Sequence, residues 1–340
     1  MNFTSRLASR LLSILTLVFF LVLSACSSSE KDKQQSETII PASESLPVIT
    51  VPVFNEDTAY AFVKAQCDFG PRVPGTTAHK NCADYLVDIL KRYTPSVMVQ
   101  EGKVSTYDGV NLDLKNIIAA FNPESKNRIL LFAHWDTRPW ADHGSERKSE
   151  PNLGADDGAS GVAVLLEIAR QFSLQSPSVG VDIIFFDVED WGKSGGGAES
   201  EDSYCLGTQY WTKNLHVPGY LANYGILLDM VGGRNSKFRL EGNSKQFAPH
   251  ILDKVWKTGV NLGYSSYFLF QDGGWITDDH VYVNRINIPS IDIIGSDAGS
   301  VTGFPAHWHT HEDNMDVIDK GTLKAVGQTV LHVVYSEQGI

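Results

Sequence analysis

Short apolar runs recur along this chain at the spacing of a layered α/β protein. Each run is rich in Ile, Leu, Val and Phe and does not alternate with polar residues, as expected of a strand that is covered on both faces of a sheet. The runs that we predict to be strands are residues 114–121, 128–134, 181–187, 224–229 and 289–294.

Between these runs, apolar residues repeat at helical spacing. Strands that alternate with helices predict an α/β fold, with a mostly parallel central sheet flanked by helices on both faces. We predict a single domain over residues 48–340, because no later linker rich in Pro, Gly and Ser interrupts the pattern. The residues that repeat at helical spacing are Cys82, Leu86, Ile89, Leu90 and Tyr93; Val162, Leu165, Leu166 and Ala169; and Leu323, Val326, Val330 and Val334.

Residues 1–25 have the pattern of a secretory signal peptide. Arg6 and Arg10 give a basic start, and the apolar run that follows is shorter than the roughly 20 residues that a helix needs to span a bilayer. The run closes with Leu23-Ser24-Ala25-Cys26, which resembles the lipobox of bacterial lipoproteins and implies cleavage before Cys26 and lipidation of that residue. The alternative is a plain signal peptide with an incidental cysteine.

Residues 26–47 are predominantly polar and cannot bury enough surface to fold, so we predict a lipidated Cys26 followed by a flexible tether. Together these segments predict a lipoprotein of the bacterial cell envelope, held at a membrane by its N-terminal lipid. Ser27 favours the outer membrane, with the protein facing the periplasm or the cell surface.

The net charge limits the possible binding partners, and the cysteines raise the question of a disulfide. The net charge is −12 and basic residues are not clustered, so no nucleic-acid partner is expected. Cys67 and Cys82 could form a disulfide in an oxidising compartment. The alternative is that Cys67, Cys82 and Cys205 are all buried, reduced thiols, and the sequence leaves both possibilities open.

Polar residues follow the predicted strands where each strand ends. His134 and Asp136 close one strand, and Asp187, Glu189 and Asp190 close another. Asp229 ends a third strand, and Asp157 precedes a predicted helix. Ligands of open α/β sheets bind at the carboxyl ends of the strands, and His, Asp and Glu are the ligands of catalytic zinc sites. The sequence assigns no partner to His79 or His307.

The segments that carry these residues resemble the metal loops of the zinc aminopeptidase superfamily, in that superfamily's order. Two further segments, 277–280 and 304–310, narrow the resemblance to its glutaminyl cyclase branch. The resemblance covers nearly all of the predicted domain. The segments are Phe69-Gly70-Pro71-Arg72-Val73-Pro74-Gly75-Thr76, Ala133-His134-Trp135-Asp136-Thr137, Gly154-Ala155-Asp156-Asp157-Gly158-Ala159, Phe186-Asp187-Val188-Glu189-Asp190, Leu228-Asp229-Met230, Thr277-Asp278-Asp279-His280 and Phe304-Pro305-Ala306-His307-Trp308-His309-Thr310.

By position, the resemblance implies one zinc ion held by Asp157, Asp190 and His309. The chain departs from the animal enzymes at one step, having Glu189-Asp190 where they have two glutamates. The remaining implied roles are general acid/base for Glu189, a supporting carboxylate pair for Asp229 and Asp278, and walls of the substrate pocket for Trp308, Phe304 and Trp191.

The implied activity is that of a glutaminyl-peptide cyclotransferase, an acyltransferase that converts the N-terminal glutamine of peptides or proteins to pyroglutamate and releases ammonia. Zinc would act as a Lewis acid on the amide oxygen while a carboxylate moves the proton. Because the nucleophile belongs to the substrate, no serine triad is required.

Two other hypotheses about the function remain open. A di-zinc aminopeptidase would bind a second metal through His134 and Asp229, with Asp157 bridging the two ions. The other is a surface lipoprotein that has lost catalysis, which the full set of base, ligands and paired carboxylates argues against.

Overall fold

The computed structural model describes residues 50–338. The strands are β1 (Val97–Ser105), β2 (Asn111–Phe121), β3 (Arg128–His134), β4 (Gly180–Phe186), β5 (Tyr224–Asp229), β6 (Lys237–Leu240), β7 (Phe268–Asp272) and β8 (Ser290–Ser296). The helices are α1 (Glu56–Cys67), α2 (Thr77–Lys91), α3 (Ala159–Leu174), α4 (Ala198–Glu201), α5 (Leu206–Lys213), α6 (Gly242–Phe247), α7 (Pro249–Asn261), α8 (Asp279–Arg285) and α9 (Lys320–Ser336).

The strands form one sheet in the order β1-β2-β4-β3-β5-β8-β6-β7. Its centre, β4-β3-β5-β8, is parallel throughout. At one side β2 runs antiparallel to both β1 and β4, and at the other β6 runs antiparallel to β8. The predicted mostly parallel sheet is therefore confirmed, with antiparallel pairs toward its edges.

Helices cover both faces of the sheet, as predicted. Alternate residues of β3 enter two different apolar cores: Leu131 belongs to the core under α1, α3 and α9, whereas Phe132 packs with Trp211 of α5 and Val283 of α8. All seven residues of β3 are buried because both faces are covered. Each predicted strand is present: β3 and β5 have the predicted bounds, and the ends of β2, β4 and β8 differ from the prediction by at most three residues.

Strands β1, β6 and β7 are not among the predicted strands. In β1, half-buried and exposed residues alternate, so it lacks the continuous apolar run of a central strand. The other two have only four and five residues. β6 and β7 pair with strands from which at least two helices separate them in sequence, whereas β1 pairs with β2 across a short turn.

Among residues 50–338, no helix has the length and apolar character needed to cross a bilayer. The predicted signal peptide, Cys26 and the tether lie outside the described residues.

Candidate active site

The polar residues that follow the strands meet at one edge of the sheet. His134 and Asp229 are the last residues of β3 and β5, and Glu189 and Asp190 lie in the loop after β4. Asp157 lies just before α3, and Asp278 is the N-cap of α8. Because the central strands are parallel, their carboxyl ends bring these distant segments together.

Asp157, Asp190 and His309 form a compact group of buried ligand atoms. Nε2 of His309 lies 3.6 Å from Oδ2 of Asp157 and 3.2 Å from Oδ1 of Asp190. Ligand atoms about 2.0 Å from a tetrahedral zinc ion lie roughly 3.3 Å apart. The separations therefore suit a single zinc ion, and no thiolate belongs to this group.

The charge balance of the pocket also favours a cation. Asp157, Glu189, Asp190, Asp229 and Asp278 are all buried around the group, and Oδ2 of Asp190 has no hydrogen-bond partner. Several buried carboxylates without matching positive charge are unfavourable unless they bind metal ions or protons. The residues present thus fit a zinc site.

Two carboxylates that were assigned no role in the site hold its loops in place. Asp136 accepts hydrogen bonds from the backbone N–H groups of Glu189 and Asp190, at 3.0 and 3.2 Å. Asp313 accepts from the N–H groups of Asp156 and Asp157, at 2.7 and 3.1 Å. Each therefore orients one ligand and its neighbour.

A buried arginine supports the same site and was not anticipated from sequence. Arg138 donates two hydrogen bonds of 2.8 Å to Asp142, and its Nη1 lies 3.2 Å from Oδ1 of Asp190. Burial raises the pKa of the Asp190 carboxyl, but His309 and Arg138 outweigh this and lower it. Asp190 is thus held as the carboxylate that a metal ligand must be.

Glu189 lies beside the group formed by Asp157, Asp190 and His309, in surroundings that favour its protonated form. Burial raises its pKa well above the usual value, and the nearby charges of Asp190 and Asp278 raise it further, while His134 opposes them. The Cys205 thiol donates a hydrogen bond of 3.3 Å to Oε1 of Glu189. A carboxyl with a raised pKa can exchange protons near neutral pH.

Asp229 and Asp278 are both buried, and the charge of Asp229 acts on Asp278. Burial raises the pKa of each to about 7, and the charge of Asp229 contributes to the shift of Asp278. Oδ1 of Asp229 lies 3.3 Å from Nε2 of His134, whereas Oδ2 of Asp278 has no partner. The carboxyl of Asp278 also lies within 4.8 Å of ligand atoms of Glu189 and Cys205.

His134, Asp157 and Asp229 form a second group of potential ligands. Nε2 of His134 lies 3.0 Å from Oδ1 of Asp157 and 3.3 Å from Oδ1 of Asp229. Asp157 belongs to both groups, with one oxygen facing each. This is the arrangement that the aminopeptidase alternative requires.

The site opens into a cavity of about 700 Å³. Trp308 stacks on His309 with ring centroids 3.8 Å apart, and Phe304 packs on Trp308 at 4.4 Å. Both aromatic residues line the cavity. The indole of Trp191 packs edge-on against Trp140 and donates a hydrogen bond to Asp108, and its role in the substrate pocket stays a prediction.

Several residues left unassigned by sequence have partners in the structure. Nε2 of His79 lies 2.8 Å from Oδ1 of Asp187, and Nε2 of His307 lies 2.8 Å from Oδ2 of Asp156. These pairs join residues about 110 and 150 positions apart, which no local pattern connects. Of the two possibilities for the cysteines, the structure has buried free thiols at Cys67, Cys82 and Cys205.

Comparisons with known proteins agree with this geometry. Peptidase family M28 matches residues 116–334. A Zn-dependent exopeptidase from Parabacteroides distasonis is 54% identical, with a TM-score of 0.83, and the match covers 85% of this chain and 100% of that chain. A Bacteroides thetaiotaomicron glutaminyl cyclase bound to N-acetylhistamine is 53% identical, with the same TM-score and coverage.

A more distant relative has the same activity in its name. Glutaminyl-peptide cyclotransferase from Drosophila melanogaster is 28% identical over 281 residues, which are 74% of this chain and 73% of that protein. The chain therefore belongs to peptidase family M28 and, within it, groups with the bacterial glutaminyl cyclases.

Proposed function

We propose that this protein is a zinc-dependent glutaminyl-peptide cyclotransferase that converts N-terminal glutamine to pyroglutamate. The observation that carries the proposal is the position of Glu189, a buried carboxyl beside the group formed by Asp157, Asp190 and His309. The similarity to glutaminyl cyclases over their whole length supports it.

Asp157, Asp190 and His309 would hold the metal. A bound zinc ion would supply Lewis-acid polarisation of the glutamine side-chain amide. The stacking of Trp308 on His309 fixes the imidazole and gives the pocket an apolar wall against which the methylenes of the glutamine side chain can pack.

Glu189 would move the proton. In cyclisation the substrate's α-nitrogen bonds to its own side-chain carbonyl carbon, and the bond from that carbon to the amide nitrogen breaks. Glu189 accepts a proton from the α-amine and returns it to the departing nitrogen, which leaves as ammonia. The raised pKa of Glu189 suits both transfers.

Asp229 and Asp278 would assist by holding a proton between them. The charge of Asp229 helps to raise the pKa of Asp278, and the pKa of each is raised to about 7, so the two carboxyls resist double ionisation. A protonated carboxyl donates a hydrogen bond, and its ionised partner accepts one. The pair can therefore orient the amine and the leaving nitrogen together.

A di-zinc aminopeptidase is the second candidate, because the group formed by His134, Asp157 and Asp229 is intact. In that reaction Glu189 would activate a water molecule instead of the substrate's amine. The similarity to an exopeptidase is as high as the similarity to a cyclase.

Mass spectrometry of peptides that begin with Gln, Leu or Ala separates the two candidates. The cyclase is expected to remove ammonia from the Gln peptides and leave every peptide bond intact. Release of free N-terminal residues would establish the peptidase. A His134→Ala variant serves as a second measurement: a peptidase would lose half of its bound zinc, whereas the cyclase would keep its single ion.

We also propose that Cys26 is lipidated and anchors the protein in the bacterial cell envelope. The support is the sequence Leu23-Ser24-Ala25-Cys26 after an apolar run. Expression of the full chain in a bacterium with labelled fatty acid is expected to label the wild type and to leave Cys26→Ser unlabelled. An unlabelled wild-type protein in the soluble fraction would refute the anchor.

A further inference from the structure

A large aromatic side chain lies exposed at the wall of the active-site cavity. Trp275 lines the cavity that also contains Glu189 and Asp278, yet 69% of its surface is accessible to solvent. The proposed glutamine pocket does not use it, since that pocket is closed by Trp308 and Phe304. An exposed indole at a binding cavity is a candidate contact for ligand.

The Trp275 ring is held in place despite its exposure. One face lies against Gly242, where an added Cβ would come within 2.4 Å of the ring. Its neighbours are fixed by hydrogen bonds from Gly242 N to Gly274 O at 2.9 Å and from Ile276 N to Glu241 Oε1 at 3.1 Å. The free face of the ring is therefore preorganised, and a ligand would not have to order it.

Trp275 lies within reach of the beginning of a bound peptide. It is three residues before Asp278, and extended chain of that length spans at most roughly 10 Å. A peptide whose first residue occupies the site beside Asp278 would cover the same distance with its second and third residues. A cavity of about 700 Å³ also has more room than one glutamine residue fills.

The charge of the cavity restricts which side chains can bind there. Its described lining residues include Asp157, Glu189, Asp190, Glu201 and Asp229 but no lysine or arginine. An acidic side chain next to the glutamine would therefore find no basic side chain to pair with. Val301 and Ile276 line the same cavity and add apolar surface.

We infer that Trp275 forms a subsite for an apolar or aromatic side chain at the second or third residue of the substrate. This inference rests on the proposed cyclase activity and specifies its substrates: chains that begin with Gln followed by an apolar residue, and not by an acidic one. Burial of the side chain against the free face of the indole supplies the preference.

The test compares cyclisation of Gln-Gly-Gly, Gln-Phe-Gly, Gln-Gly-Phe and Gln-Glu-Gly by the full enzyme. We expect kcat/KM of the better Phe peptide to exceed that of Gln-Gly-Gly by about tenfold, and Gln-Glu-Gly to be the poorest substrate. Trp275→Ala should remove the preference for Phe while leaving kcat/KM for Gln-Gly-Gly within about twofold.

Two further variants extend the test: the first disturbs Trp275 indirectly, and the second is a control. Gly242→Ala should displace the indole without removing it and reduce the same preference. Phe270→Ala removes an exposed aromatic residue that is not among the cavity's described lining residues, and it should change none of the rates.

A preference for Phe that survives in Trp275→Ala would overturn the subsite, as would an equal loss for all four peptides. Failure of the wild type to cyclise any of the peptides would instead refute the proposed function. The rate of Gln-Gly-Gly cyclisation by the wild type therefore distinguishes failure of the subsite from failure of the proposed function.

Discussion

The Sγ atom of Cys205 lies 3.3 Å from Oε1 of Glu189, and both side chains are buried. Burial raises the pKa of the thiol well above its usual value, so Cys205 is the protonated donor and Glu189 the acceptor. The backbone adds a second link, because the N–H group of Cys205 donates to the carbonyl oxygen of Glu189 at 2.9 Å. Cys205 therefore fixes the orientation of the proposed base.

Removal of that thiol should lower turnover while binding changes little. We expect Cys205→Ala to reduce kcat about fivefold, as for the loss of ~1 kcal/mol from one hydrogen bond, with KM nearly unchanged. Cys205→Ser keeps a donor and should stay near wild type. Equal rates for the Ala and Ser variants, at equal melting temperatures, would show that the contact has no part in positioning Glu189.

Glu189→Gln should abolish most of the activity and leave the metal bound. The amide has the shape of the carboxyl but cannot accept the proton, so kcat should fall by about 100-fold or more. Zinc content measured by mass spectrometry should equal that of the wild type. Loss of zinc from this variant would mean that Glu189 and Asp190 have exchanged roles.

His309→Ala should lose the metal, because Nε2 of His309 faces both Asp157 and Asp190. We expect zinc affinity to fall by more than about 100-fold, as followed by competition with a chromophoric chelator. His307→Ala is the matched control from the same loop, since His307 pairs with Asp156 and does not belong to the ligand group. Zinc retained at full affinity by His309→Ala would remove His309 from the ligand set.

Asp278→Asn tests the proposed carboxylate pair without removing a helix cap. Oδ1 of Asp278 accepts from the backbone N–H of Asp279 at the start of α8, and asparagine can accept the same bond. We expect a folded protein that keeps its zinc, with kcat lowered about tenfold to 100-fold. Wild-type turnover in this variant would contradict the sharing of a proton with Asp229.

Buried acids should make the metal-free protein less stable as pH rises. Burial is the main cause of the shifts: it raises the pKa of Asp229 and Asp278 to about 7 and that of Asp279 to about 8. Between about pH 4 and pH 8 these carboxyls keep protons in the folded state that they lose on unfolding, so the free energy of unfolding falls with pH.

Calorimetry of chelator-treated protein should therefore give a lower melting temperature near pH 8 than near pH 5. Asp279→Asn removes one of these acids, and its melting temperature should fall less over the same range. A melting temperature that rises toward pH 8 in the wild type would contradict the raised pKa values.

The sequence alone determined the central strands, the helices between them and the place of the chemistry. Buried parallel strands require continuous apolar runs, and a strand's end is visible where such a run stops, so His134, Glu189 and Asp229 could be located by position. The segments around Asp157, Asp278 and His309 could be assigned by resemblance, because each is a short local motif.

Only the tertiary structure decided how these pieces are held together. The edge strand β7 pairs with β6, from which two helices separate it in sequence, so its own short pattern does not identify it. The hydrogen bonds of Asp136 and Asp313 to the metal loops join residues more than 50 and 150 positions apart. The place of Trp275 at the wall of the cavity depends on packing against Gly242, a neighbour that local sequence does not specify.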